Sequence, residues 1–204
     1  MNTSTLPSST LVRKPETVLK QVFGYSEFRD GQKAVIDAAL NAQDTLVLLP
    51  TGGGKSVCYQ IPALVLEGVT IVISPLISLM QDQVAQLQAL GVKAAYVNNS
   101  LAREEQQRVY QQLHQGLIKL LYVAPEKVLQ RDFLERLSHL KISLFAIDEA
   151  HCVSHWGHDF RPHYFRLNEL KQRFAHVPMM ALTATADKAT RFDIVEQLKL
   201  QQPY

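Results

Sequence analysis

Thr51-Gly52-Gly53-Gly54-Lys55-Ser56 decides the fold of this chain. The apolar run Thr45-Leu46-Val47-Leu48-Leu49 before it predicts a buried strand, and Val57-Cys58-Tyr59-Gln60-Ile61 after it can open a helix. A glycine-rich turn between strand and helix lets successive backbone N–H groups point into one concavity at the positive end of the helix. Such a nest binds phosphate. Lys55 can then reach the outer phosphates, and the Ser56 hydroxyl can ligate Mg²⁺. Leu49 stands where the general phosphate-loop pattern has its first glycine. The bland alternative is a flexible glycine turn beside an ordinary lysine. The strand–turn–helix context favours the phosphate loop.

Outward from this stretch, apolar runs and helical periodicities alternate. Pro15 can begin a helix and Gly24 can end it. Val69 to Ile73, Ala94 to Val97, Ile118 to Val123, Ser143 to Ile147 and Pro178 to Leu182 predict further strands. Helices are expected over 76–90, 103–115, around Phe133 to Leu137, over 163–174 and over 187–200. Such alternation implies an α/β domain with a mainly parallel sheet covered on both faces. At 204 residues and 47% hydrophobic, the chain suits one sizeable domain. Residues 1–14, rich in Ser and Thr, predict a frayed tail rather than a secretory signal, and residues 15–204 the domain itself.

The totals exclude several classes. No apolar run approaches the ~20 residues of a membrane span. Cys58 and Cys152 stand alone, with no zinc spacing, and suggest a reduced, cytoplasmic protein (nucleoid-associated in a bacterium). A net charge of +2 neither demands nor excludes nucleic acid, because a basic groove can hide in a near-neutral total.

Leu144-Phe145-Ala146-Ile147 runs into Asp148-Glu149-Ala150-His151. A carboxylate at the end of a buried strand faces the crevice where ligands bind in such sheets. Asp148 can hold Mg²⁺ together with Ser56, and Glu149 can orient or deprotonate the attacking water. Further on, Cys152-Val153-Ser154-His155-Trp156-Gly157-His158-Asp159-Phe160-Arg161-Pro162 sets Trp156 and Phe160 among His158 and Arg161 on a glycine-containing turn. Aromatics offer unpaired bases a stacking platform, and Arg and His supply cationic character near phosphate. On composition alone, buried aromatics with satisfied polar neighbours fit equally well.

The phosphate loop together with Asp-Glu-Ala-His resembles the ATPase core of superfamily-two helicases. Phe23-Gly24-Tyr25, Phe28-Arg29 and Gln32 resemble the motif that precedes the phosphate loop in RecQ-family DNA helicases. The segment from Cys152 to Pro162 is similar to that family's aromatic-rich loop, with His155 where glutamine is usual. Ser74-Pro75-Leu76-Ile77-Ser78-Leu79-Met80, Tyr122-Val123-Ala124-Pro125-Glu126-Lys127 and Leu182-Thr183-Ala184-Thr185-Ala186 resemble further helicase motifs. The resemblance covers nearly all of the chain from about Val18.

The resemblance implies a RecA-like motor domain of a 3′-to-5′ DNA helicase acting in repair and recombination on single-stranded and forked DNA. It implies that Tyr25 and Arg29 sandwich the adenine and that Gln32 reads its edge. It gives Lys55, Asp148, Glu149 and His151 to catalysis, and Ser74, Trp156, His158, Phe160, Arg161, Thr183 and Thr185 to DNA contact and coupling. A RecQ helicase has a second RecA-like domain that supplies arginines to the γ-phosphate, followed in many members by zinc-binding and winged-helix regions, and none of these is expected in this sequence. The chain by itself is therefore expected to bind ATP weakly, to hydrolyse it very slowly and to unwind nothing. A non-motor, nucleotide-dependent DNA-binding module is the alternative. An RNA helicase core fits less well, because the aromatic loop and the motif at Phe23-Gly24-Tyr25 argue against it.

Overall fold

The computed structural model describes residues 13–155 and 159–204. Helix α1 (Pro15–Phe23) starts on a proline, whose missing N–H costs nothing in the first turn, and stops at Gly24. Gly24 takes φ 75°, and its N–H closes the helix on the Leu19 carbonyl. Helix α2 (Gln32–Leu40) leads into strand β1 (Thr45–Leu48), which the phosphate loop joins to α3 (Lys55–Val65). Then follow β2 (Val69–Ile73), α4 (Ile77–Ala89), β3 (Ala94–Val97), α5 (Arg103–His114) and β4 (Leu120–Val123). Next come α6 (Pro125–Val128), α7 (Arg131–Ser138), β5 (Ile142–Ile147) and a short 3-10 turn at Ala150–Val153. The chain closes with α8 (Pro162–Phe165), α9 (Asn168–Arg173), β6 (Met179–Thr183) and α10 (Lys188–Leu198).

The six strands form one sheet in the order β1-β6-β5-β2-β4-β3, and every pairing is parallel. Along β5 the side chains alternate between the two faces. Phe145 and Ile147 pack with Ile71, Ile73 and Met179 on one side. Leu144 and Ala146 pack with Val72, Tyr122 and Met180 on the other. All are fully or nearly fully buried, because helices cover both faces and a parallel sheet has no solvent side. The strand order sets the site. β6 lies between β1 and β5, so their carboxyl ends stand two strand spacings, roughly 10 Å, apart. That gap suits a phosphate chain held from both sides.

The helix expected over 163–174 is in fact the pair α8 and α9. Between them the Leu167 N–H bonds Tyr164 O and the Leu170 N–H bonds Leu167 O. This three-residue repeat turns Tyr164, Leu167 and Leu170 onto one inward face, and all three are fully buried. The tail expected at residues 1–14 falls almost wholly outside the described residues.

One anchor lies at the opposite end of the sheet from the phosphate loop. Asp44 is 3% exposed. Its Oδ1 accepts from Lys171 Nζ at 2.7 Å and from the Met179 N–H at 2.8 Å. Its Oδ2 accepts from the Gln201 N–H at 2.7 Å. One buried carboxylate thus ties the entry of β1 to α9, β6 and the residues after α10.

Candidate nucleotide and DNA site

The phosphate loop needs its glycines for stated reasons. Gly52 and Gly54 sit at φ 78° and 81°, where an L side chain is strained. A Cβ on Gly53 would come 2.8 Å from the Pro50 carbonyl oxygen, and one on Gly54 would strike Gln32 Nε2. Gly54 caps α3 directly, so Lys55 and Ser56 occupy the first turn, where N–H groups have no helical partner.

Two residues of the preceding motif hold this loop from behind. Arg29 Nη1 donates to the Gly52 carbonyl. Gln32 Nε2 donates to the Gly54 carbonyl at 3.0 Å, while its Oε1 accepts from the Arg29 N–H at 2.8 Å. Gln32 is 3% exposed, so its amide braces the loop and leaves one hydrogen and one lone pair for anything else. Tyr25 is 52% exposed on the wall of the same cleft, so its ring is open to a stacking partner.

The cleft has a volume of about 380 Å³. Tyr25, Arg29, Gln32 and Thr51 line it on one side, then Gly52, Gly54, Lys55 and Ser56, and Asp148 and Glu149 close the far wall. Burial and the neighbouring Glu149 carboxylate raise the Asp148 carboxyl to about 6, although the Glu149 N–H donates to its Oδ1 at 3.0 Å and Lys55 pulls the other way. The Tyr164 hydroxyl fixes the strand end by donating to the Asp148 carbonyl at 2.8 Å. Glu149 itself takes φ 50°, a left-handed conformation costing a non-glycine residue about 1–2 kcal/mol. A hard divalent cation fits here. Ser56 and Asp148 bring oxygen donors to one cleft, and a cation would offset the charge that burial penalises in Asp148.

His151 faces the end of β6. Its Nδ1 lies 3.0 Å from Thr183 Oγ1 and 3.3 Å from Glu149 Oε2. Thr183 Oγ1 also lies 3.1 Å from the Thr185 carbonyl, within reach of its hydroxyl hydrogen. Acidic motif and threonine motif are thus joined by one imidazole.

The aromatic loop is described only at its two ends, and Trp156 and His158 lie outside the described residues. Phe160 stacks on His155 with ring centroids 4.0 Å apart, and Phe165 lies 5.2 Å from His155. Arg161 donates to Asp159 Oδ2 from Nε at 3.3 Å and from Nη2 at 3.0 Å, which holds the Asp159 carboxyl below its ordinary value.

Ser74 follows the last residue of β2. It is 2% exposed, its N–H is taken by the Val123 carbonyl, and its hydroxyl has no hydrogen-bond partner. Leu76 holds the N-cap position of α4. The chain then turns outward into α4. Gln32 as a loop brace, Tyr164 as a strand-end anchor and Asp44 as a hub were not read from the sequence. Each makes contacts far along the chain, which local periodicity does not report.

Comparison with known proteins agrees with this geometry. Residues 29–192 match the DEAD/DEAH box helicase family. The chain is 60% identical over 187 residues to "ATP-dependent DNA helicase RecQ" of Pasteurella multocida, covering 92% of this chain and 30% of that protein. It is 57% identical over 195 residues to the protein of that name from Haemophilus influenzae, covering 95% and 32%. The chain therefore spans about a third of the length of these relatives. Among solved structures, the DUF1998 helicase MrfA bound to DNA superposes with a TM-score of 0.74 at 17% identity, covering 95% of this chain and 29% of that one. The Hef helicase domain of Pyrococcus furiosus gives 0.64, also at 17% identity, covering 86% and 37%. These likenesses show a RecA-like helicase fold. With the family match over most of its length and this identity to RecQ proteins, the chain belongs to the DEAD/DEAH box helicases and, among them, to the RecQ group.

Proposed function

We propose that this chain is the first RecA-like motor domain of a 3′-to-5′ DNA helicase, which couples ATP hydrolysis to movement along single-stranded DNA and to duplex unwinding in repair and recombination. One observation carries the reading: Lys55 and Ser56 from the end of β1 and Asp148 and Glu149 from the end of β5 line a single cleft.

In this reading Tyr25 stacks on the adenine, Arg29 covers its other face, and Gln32 offers the base its remaining donor and acceptor. The N–H groups of Gly52, Gly53 and Gly54 cradle phosphate oxygens, with Thr51 at the mouth. Lys55 sets its charge on the outer phosphates. Ser56 and Asp148 hold Mg²⁺, which when bound neutralises charge on the phosphate oxygens. Glu149, kept in place by His151, orients the attacking water and accepts its proton. His151, Thr183 and Thr185 report the state of the cleft to the rest of the domain. Phe160 and Arg161, with Trp156 and His158, meet single-stranded or forked DNA.

The cleft opens toward solvent where, in this reading, a second motor domain closes it with arginines. Such an arginine is worth ~10³–10⁵ in rate in NTPases that use one. The 204-residue chain alone is therefore a half-site with turnover near background. Its place of action is the cytoplasm, on the nucleoid in a bacterium. Among the described residues no helix is long and apolar enough to cross a membrane, and both cysteines are unpaired thiols.

Binding of a fluorescent ATP analogue with Mg²⁺ tests the cleft. Lys55→Ala and Asp148→Ala are expected to weaken it at least about tenfold each, as charge-assisted contacts to phosphate and metal are lost. Wild-type affinity in both variants would overturn the assignment.

A further inference from the structure

The root of the aromatic loop is held from a second direction. Ser154, fully buried where the 3-10 turn ends, donates its hydroxyl to Asp193 Oδ2 at 2.7 Å. Asp193 lies on α10, which Ile194 and Leu198, both fully buried, fix to the core. A carboxylate accepting at this distance makes a short, charge-assisted bond.

The contact closes a ring. The Ser154 N–H donates to the His151 carbonyl at 3.0 Å. The His151 imidazole meets Thr183, and the Thr183 hydroxyl donates to the Thr185 carbonyl. Two residues on, Asp187 caps α10 by accepting from the Thr190 N–H at 2.7 Å, and α10 carries Asp193 back to Ser154. Acidic motif, threonine motif, α10 and loop root are thus one closed circuit. A displacement at Thr183 reaches the loop by two routes: through His151 along the chain, and through α10 across space.

We propose that Asp193 is a positioning residue that presets the aromatic loop for single-stranded DNA through Ser154. The inference rests on the reading above that this loop takes DNA. Asp193 touches neither nucleotide nor DNA; it acts by holding the residue from which the loop springs. Without it, the loop root keeps its chain connection to His151 but loses this tie to α10. DNA affinity then falls while nucleotide affinity does not.

The sequence contains a single tryptophan, Trp156, within this loop, so its intrinsic fluorescence reports on the loop alone. The experiment titrates the 204-residue chain, with Mg²⁺ and a non-hydrolysable ATP analogue, with a dT oligonucleotide and follows Trp156 emission. Asp193→Ala is expected to weaken dT binding about tenfold, the scale of one charge-assisted hydrogen bond. Affinity for a fluorescent ATP analogue without DNA stays within about twofold. Asp193→Asn, which keeps an acceptor oxygen, recovers part of the loss, and Glu196→Ala, on the same helix, has no effect. Wild-type dT affinity in Asp193→Ala overturns the inference, and so does an equal loss of nucleotide and DNA affinity, which marks a merely structural role. No Trp156 response to dT in the wild type is a different failure. It removes the DNA reading of the loop, and the inference falls with it.

Discussion

Gln32 Nε2 donates to the carbonyl of Gly54, the residue that caps the phosphate-loop helix. A side chain from the motif ahead of the loop therefore fixes the loop's last turn before any nucleotide arrives. With Arg29 on Gly52, it makes the nest a preformed feature, so binding need not order it.

Gln32→Ala is expected to weaken Mg·ATP binding about three- to tenfold, the worth of one or two buried hydrogen bonds. Gly54→Ala acts more severely. It forces a left-handed alanine and drives its Cβ into Gln32, so nucleotide binding is lost and stability falls by about 1–3 kcal/mol. Isothermal calorimetry and thermal melts of the two variants check both.

Asp148 carries the pH dependence. Its carboxyl sits near 6 in the fold against an ordinary 3.8, so the folded state holds the proton more tightly than the unfolded chain. Stability therefore declines as pH rises from about 4 through 6 and is fully reduced above it, by about 1–3 kcal/mol. Asp148→Asn should raise the nucleotide-free melting temperature at pH 8, with little change near pH 4, while abolishing Mg-dependent nucleotide binding. For the wild type, Mg·ATP binding should weaken as pH falls below about 6. Melting curves across pH for the two proteins decide it.

The buried Asp44–Lys171 pair should be costly to break from one side. Asp44→Ala strands the Lys171 ammonium, 7% exposed, and frees the Met179 and Gln201 N–H groups, for an expected loss of about 3–5 kcal/mol. Replacing both partners with apolar residues should cost less than removing Asp44 alone. Urea denaturation of the single and double variants measures the difference.

Both thiols should resist modification in the native state. Burial pushes Cys58 and Cys152 up to about 12, so at pH 8 the reactive thiolate fraction is roughly three decades below that of a free cysteine. An aromatic disulfide reagent should label neither at an appreciable rate until urea unfolds the chain, and then both together. Rapid labelling of Cys152 alone would mean that the loop root opens in the native state.

Much of this was legible in the sequence, and its limits have a physical cause. The phosphate loop, the acidic motif at the end of β5 and the stop at Gly24 are local patterns. Their turn chemistry and apolar runs appear within a few residues, and the strands and long helices lie where periodicity placed them. The order of those strands was not written locally, nor was the inward turn of Ser74 or the break between α8 and α9. Asp44 meets Lys171 across 127 positions, and Ser154 meets Asp193 across 39. Such pairs exist only once the sheet has formed. Gln32 shows the distinction most clearly: its motif pointed to the adenine site, and the fold adds the bond to Gly54.

The most direct test of the central claim is steady-state ATP hydrolysis by the 204-residue chain. It is measured without nucleic acid, with single-stranded DNA and with single-stranded RNA, before and after joining the chain to a second motor domain from a RecQ relative, with Lys55→Ala as the blank. Turnover at the level of the blank for the chain alone, rising with DNA but not RNA once the second domain is present, is the predicted result. Brisk turnover by the isolated chain, or stimulation by RNA in place of DNA, would contradict the account.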